Sequence, residues 1–99
     1  MDMLSFEWDE NKNTLNKKKH KVSFEEAETV FYDDNAVMIS DPDHSEWEKE
    51  ERFVLLGFSA RARLLMVCHC YRGADNVIRI ISARKADAIE ARQYNDMEV

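Results

Sequence analysis

Asn76-Val77-Ile78-Arg79-Ile80-Ile81-Ser82-Ala83-Arg84-Lys85-Ala86 reads as a strand, and the pattern from Asp87 to Asp96 directly after it reads as a helix. A strand this apolar belongs inside a sheet, yet Arg79, Ser82 and Arg84 interrupt it. Burying a guanidinium without a partner costs several kcal/mol. The two arginines are therefore either paired within the fold or line a site for an anion. Their planar fork matches phosphate geometry.

Outward from that strand, Gly73-Ala74-Asp75-Asn76 is a hairpin turn and Leu64 to Tyr71 a central strand. Ser59-Ala60-Arg61-Ala62 is a turn without glycine, after a strand from Glu50 to Phe58. Asp41-Pro42-Asp43-His44-Ser45 is a loop behind a strand from Ala36 to Ser40, and Asp33-Asp34-Asn35 breaks the preceding helix. That helix starts at Ser23, an N-cap with Glu26 three positions on, the pattern of a capping box. Phe24, Ala27, Val30 and Phe31 give it an apolar face. An earlier polar helix runs from the N-cap Asp9 to about Lys19, with Leu15 as its main apolar contact. Its end, Lys17-Lys18-Lys19-His20, places cations where the helix dipole favours them. Ser5-Phe6-Glu7-Trp8 is a short first strand. The order β-α-α-β-β-β-β-α with short turns predicts an α+β domain, an antiparallel sheet with helices on one face.

The chain has 99 residues, the size of a single domain spanning 1–99. No apolar run approaches the ~18 residues of a membrane span, and the acidic start is not a secretion signal. Cys68 and Cys70 share a strand face and read as reduced residues of a cytoplasmic protein. With His44 they do not make a plausible zinc set, so neither metal nor other cofactor is expected. Net charge is −6, unevenly spread. Residues 1–51 carry six Lys and fifteen Asp/Glu, giving −9; residues 52–99 carry eight Lys/Arg and five Asp/Glu, giving +3. All seven arginines fall between Arg52 and Arg92. The acidic total argues against non-specific nucleic-acid binding, and the arginine concentration argues for a local anion site.

Phe6-Glu7-Trp8-Asp9 with Lys12 and Asn16, then Lys19-His20 and Val22-Ser23-Phe24-Glu25-Glu26-Ala27, resembles the opening of BrnT-type toxins. Asp41 to Ser45, Glu51-Arg52-Phe53, Leu56-Gly57, Arg79 to Ala86, and Glu90, Arg92 and Tyr94 continue the resemblance over nearly the whole chain. It implies a RelE-like fold and a bacterial type II ribonuclease toxin. The implied partner is a BrnA-type ribbon-helix-helix antitoxin, as a heterotetramer that reaches operator DNA only through the antitoxin. Two positions depart from the family, which usually has glycine where Lys21 stands and before the arginine at 63, where Ala62 stands.

Metal-free RNA cleavage needs a base for the 2′-OH, charge stabilisation of the phosphorane and an acid for the leaving oxygen. In the RelE-like fold the site lies on the open sheet face beside the last helix. Arg84 and Arg63 would sit where that fold carries phosphate-binding arginines, with Arg79 and Arg72 extending the patch. His69, Tyr94 and Glu51 are the candidate proton-transfer groups; Lys19 and Trp8 are candidate RNA contacts. Each has a structural alternative. Arg79 could pair with Glu50 or Glu51, His20 could be only a helix cap, His69 a bonded strand residue, Trp8 a core aromatic, and Lys17 to Lys19 a solvated face. A rival reading keeps the fold but makes the chain a catalytically inert module that binds an antitoxin and co-represses its operon. Direct DNA binding is disfavoured, because the last helix carries Asp87, Glu90 and Asp96.

Overall fold

The computed structural model describes residues 4–40, 52–73 and 77–96. Glu51, the 41–45 loop and residues 74–76 of the last hairpin turn lie outside the described residues. The elements are β1 (Phe6–Glu7), α1 (Glu10–His20), α2 (Phe24–Thr29), a 3-10 turn (Val30–Tyr32), β2 (Val37–Ser40), β3 (Phe53–Phe58), β4 (Leu64–Arg72), β5 (Val77–Lys85) and α3 (Ala88–Asp96). The strands form one sheet in the order β1-β5-β4-β3-β2. The three neighbouring pairs from β2 to β5 are antiparallel, as hairpin connections require. β1 pairs with β5 in parallel, because two helices and three strands separate them in the chain.

The caps form where the sequence puts them. Asp9 accepts from the Asn11 and Lys12 amides, and Ser23 accepts from the Glu26 amide. The box at Ser23 stays half made, since the Glu26 carboxylate turns to Arg63 and Ser59. A reciprocal box closes at α3 instead: Glu90 N–H donates to Asp87, and Asp87 N–H to Glu90.

Val22, Phe24, Ala27 and Val30 pack with Leu55, Leu65, Val67, Ile78, Ile80 and Ala83 as the core, with Phe31 and Trp8 against it. α1 joins differently from expectation. Leu15 is 64% exposed, and the buried residues of α1 are Asn13 and Asn16. Asn16 Nδ2 donates to the carbonyls of Ala83 and Val22, both at 2.8 Å, and its Oδ1 accepts from Ala83 N–H. β1 reaches only as far as Arg79, so beyond it the edge of β5 is bare. The Asn16 carboxamide takes the place of the missing strand's peptide there. Asn13 Oδ1 accepts from Phe24 N–H, while its amide donates to Glu10 and Glu25. A hydrogen-bonding face replaces the apolar stripe that Leu15 was expected to supply.

α3 approaches the sheet from the other side. Its Tyr94 ring meets Phe58 edge-on at 5.2 Å, and its hydroxyl donates to Asp33 at 2.8 Å. Phe58 pairs with Leu64 and lies on the face of Leu56 and Met66, away from the α2 core. On the core face, a Cβ on Gly57 would meet the Ala36, Asp33 and Val30 side chains at 2.9–3.0 Å, so only glycine lets β3 lie this close to the turn.

Lys21 (φ 61°) and Ala62 (φ 60°) are the described non-glycine residues with positive φ, the two positions where the resemblance implied glycine. Lys21 ends α1 left-handed, its N–H donating to Lys17 carbonyl. A left-handed L-residue costs about 1–2 kcal/mol, partly offset by glycine's greater unfolded entropy. Lys21→Gly and Ala62→Gly should each therefore stabilise the chain by about 0.5–1 kcal/mol, a rise of several degrees in a thermal melt. Asn16→Ala should destabilise it by about 2–3 kcal/mol in urea titrations, because the Ala83 amide and two carbonyls lose their buried partner.

Candidate active site

A one-residue irregularity in β5 decides which side chains share a face. Cys68 pairs with Ser82 but His69 pairs with Ile80, so Ile81 is an extra residue in β5. Strict alternation would put Arg79 and Arg84 on opposite faces. The bulge reverses that parity. Arg79 pairs with Cys70, Ser82 with Cys68 and Arg84 with Met66, and these β4 partners are all on one face. Arg72, two residues beyond Cys70, joins the same face, and so does Glu7, which pairs with Arg79. Ile78, Ile80 and Ala83 remain in the core on the other side.

The result is a sheet face carrying arginines. Near its middle is a hollow of about 400 Å³, lined by Arg52 and Val54 of the β3 strand and its approach, Met66 and Cys68 of β4, and Ser82, Ala83 and Arg84 of β5. His20, the last residue of α1, completes the lining. Among the described residues, Glu7 pairs with Arg72 and Arg79, and Glu90 with Arg84.

The carboxylates orient the guanidinia. Arg84 donates through Nη1 and Nη2 to the two Glu90 oxygens at 2.8 and 2.7 Å, and through Nη1 to the Lys85 carbonyl. Three of its five donors are thus used among the described residues, leaving Nε–H and one Nη2–H. Arg84 holds the Glu90 carboxyl below the usual glutamate range, against the opposing effect of burial. Arg79 and Arg72 both donate to Glu7 Oε2, at 2.9 and 3.3 Å. Arg79 is ion-paired with Glu7; Glu50 and Glu51, the partners weighed from the sequence, lie outside the described residues.

The remaining sequence candidates go elsewhere. Arg63 is bound by Glu26 through Nε and Nη2, and Nη2 also donates to the Lys21 carbonyl, clamping β4 to the α1–α2 junction. Arg63 holds the Glu26 carboxyl below its usual range; burial opposes this, and Ser59 assists it. His69 is fully buried among the rings of Phe31, Phe53 and Tyr71, with Nδ1 3.0 Å from the Val67 carbonyl and Nε2 without a partner among the described residues. Burial pushes its imidazole toward the neutral form. Tyr94 is committed to Asp33. The Trp8 ring packs edge-on to Phe24, and its Nε1–H donates to Glu10. Lys19 is exposed on α1. Sequence reasoning did not select Arg52, although it opens the arginine-rich half, and it read His20 chiefly as a helix cap. Only the folded edge brings them together.

A family model described as "Ribonuclease toxin, BrnT, of type II toxin-antitoxin system" matches residues 8–90. The chain is similar to the crystal structure of the Brucella abortus ribonuclease toxin, BrnT, with TM-score 0.62 and 22% identity over 86% of this chain and 99% of that one. At that identity the likeness speaks for the fold. No curated protein matches the chain.

The Glu26–Arg63 clamp makes stability depend on acid. A carboxyl with a depressed folded pKa contributes stability above its unfolded value and loses it as pH falls through the folded value. Thermal midpoints should hold near neutrality and fall below the ordinary glutamate range. Glu26→Gln should lower the neutral midpoint by about 5 °C and flatten that acid limb.

Proposed function

The chain belongs to the BrnT family of ribonuclease toxins of type II toxin–antitoxin systems, and we propose that its RNA-cleaving centre is the arginine-bearing sheet face around Arg84. The observation that carries this reading is the bulge at Ile81, which brings Arg79 and Arg84 to one face. Cleavage of RNA by its own 2′-OH builds negative charge on the phosphorane, and fixed guanidinia meet that charge without reorganising. Glu90 holds the Arg84 fork and leaves two of its donors for a phosphate oxygen. Arg79, Arg72 and Arg52 extend the patch along the strand. In this reading charge compensation falls to arginine, and the reaction runs without metal. Its product is a 2′,3′-cyclic phosphate or the derived 3′-phosphate.

In the cell, the family's type II organisation supplies an antitoxin. We take it to be a BrnA-type ribbon-helix-helix protein that binds this 1–99 domain as a heterotetramer in the cytoplasm and carries operator recognition. No helix of the described residues is long and apolar enough to cross a membrane.

Glu7 pairing with both Arg72 and Arg79 favours the rival reading of an inert module with structural arginines. Rate and stability measured together separate the two. The Arg79 and Glu7 side chains are 30% and 40% exposed, so their pair contributes at most about 1 kcal/mol to stability. Arg84→Ala and Arg79→Ala should each slow cleavage of purified RNA about 30- to 1000-fold while melting near the parent, and EDTA should leave the parent rate unchanged. Unchanged rates in both folded variants, or full EDTA sensitivity, would reject the mechanism.

A further inference from the structure

We infer that His20 is the general acid of this site, protonating the 5′-oxygen as it leaves; this deepens the reading above and rests on it. The argument begins with α1. Asn16 is clamped to the backbone of Ala83 on the bare edge of β5. His20 lies four residues on, one turn further along the same helix face. Fixing Asn16 at that edge therefore fixes where the His20 ring is delivered, and Ala83 and His20 both line the hollow. Its other walls supply the Arg84 and Arg52 guanidinia and the Ser82 hydroxyl. A phosphate held by the arginines would thus lie beside an imidazole.

The other proton-transfer candidates among the described residues are spent. His69 is enclosed by three rings on the core side of the sheet, and the Tyr94 hydroxyl is donated to Asp33. Among the described residues, Arg52 and Arg84 line the hollow with His20, Glu90 is paired with Arg84, Lys17, Lys18 and Lys19 share the last turn of α1 with His20, and Lys21 follows it. In the step, the 2′-hydroxyl gives its proton to solvent water as its oxygen bonds to phosphorus, the bond from phosphorus to the 5′-oxygen breaks, and His20 gives its proton to that oxygen and is reprotonated from solvent. The products are a 2′,3′-cyclic phosphate and a free 5′-hydroxyl.

A leaving group that needs no proton tests this directly. Purified chain is assayed on a short RNA with one normal linkage and on the same RNA with sulfur in place of the bridging 5′-oxygen. His20→Gln, folded by its thermal melt, should lose about 100- to 1000-fold on the oxygen substrate and less than about fivefold on the sulfur one. His20→Asn should do the same, which guards against a folding defect peculiar to one variant. Equal losses on both substrates would show that His20 acts only through fold or phosphate binding and would overturn the assignment. So would an undiminished rate on oxygen. Arg84→Ala should slow both substrates, because both pass through a charged phosphorane. If it slows neither, or the parent cleaves neither, the functional reading itself fails.

Discussion

The carboxamide of Asn16 stands in for a strand that is not there. β1 leaves the second half of the β5 edge unpaired, and unmet backbone groups beside a packed core are costly. Asn16 meets the N–H and the C=O of one residue, Ala83, and a third group at Val22. Only a side chain with both a donor and an acceptor can do that. The consequence reaches beyond stability. α1 is pinned by direction as well as contact, since hydrogen bonds specify an orientation that apolar packing leaves loose. Its last residue then falls at the rim of the arginine-lined hollow.

A second constraint is parity. Side chains alternate along a strand, so the five positions from Arg79 to Arg84 would separate the two guanidinia. The extra residue Ile81 restores them to one face while keeping Ile78, Ile80 and Ala83 in the core. A single inserted residue thereby serves both packing and charge. Two carboxylates, Glu7 and Glu90, then hold the arginines of that face in place. A net charge of −6 and an arginine-bearing sheet face coexist because arginine is confined to the second half of the chain. The net acidity leaves little long-range attraction for a polyanion.

Three of the candidate residues are tied into the framework of the fold. Arg63 joins β4 to the α1–α2 junction through a largely buried carboxylate, and the same carboxylate takes the Ser59 hydroxyl. His69 fills a ring-lined space and is pushed toward neutrality by burial. Tyr94 anchors α3 by placing its ring on Phe58 and its hydroxyl on Asp33. Asp33 also accepts from the Phe58 and Asn35 amides, and these bonds outweigh burial to keep its carboxyl below the usual range.

The sequence by itself determined the elements, their order and the class of fold. Those follow from local rules: period two from Leu64 to Arg72, the Asp9 and Ser23 caps, and the short turns that make neighbours antiparallel. It also pointed to the arginine-rich half as the place for an anion site. Tertiary structure alone decided which arginines share a face, because a bulge is invisible until β4 and β5 are laid side by side. It alone decided that Asn16 rather than Leu15 docks α1, because the bare edge of β5 exists only once the sheet has formed. And it alone brought His20 and Arg52, 32 positions apart in the chain, to one hollow: proximity across that distance is set by long-range pairing, which residue-by-residue propensity does not encode.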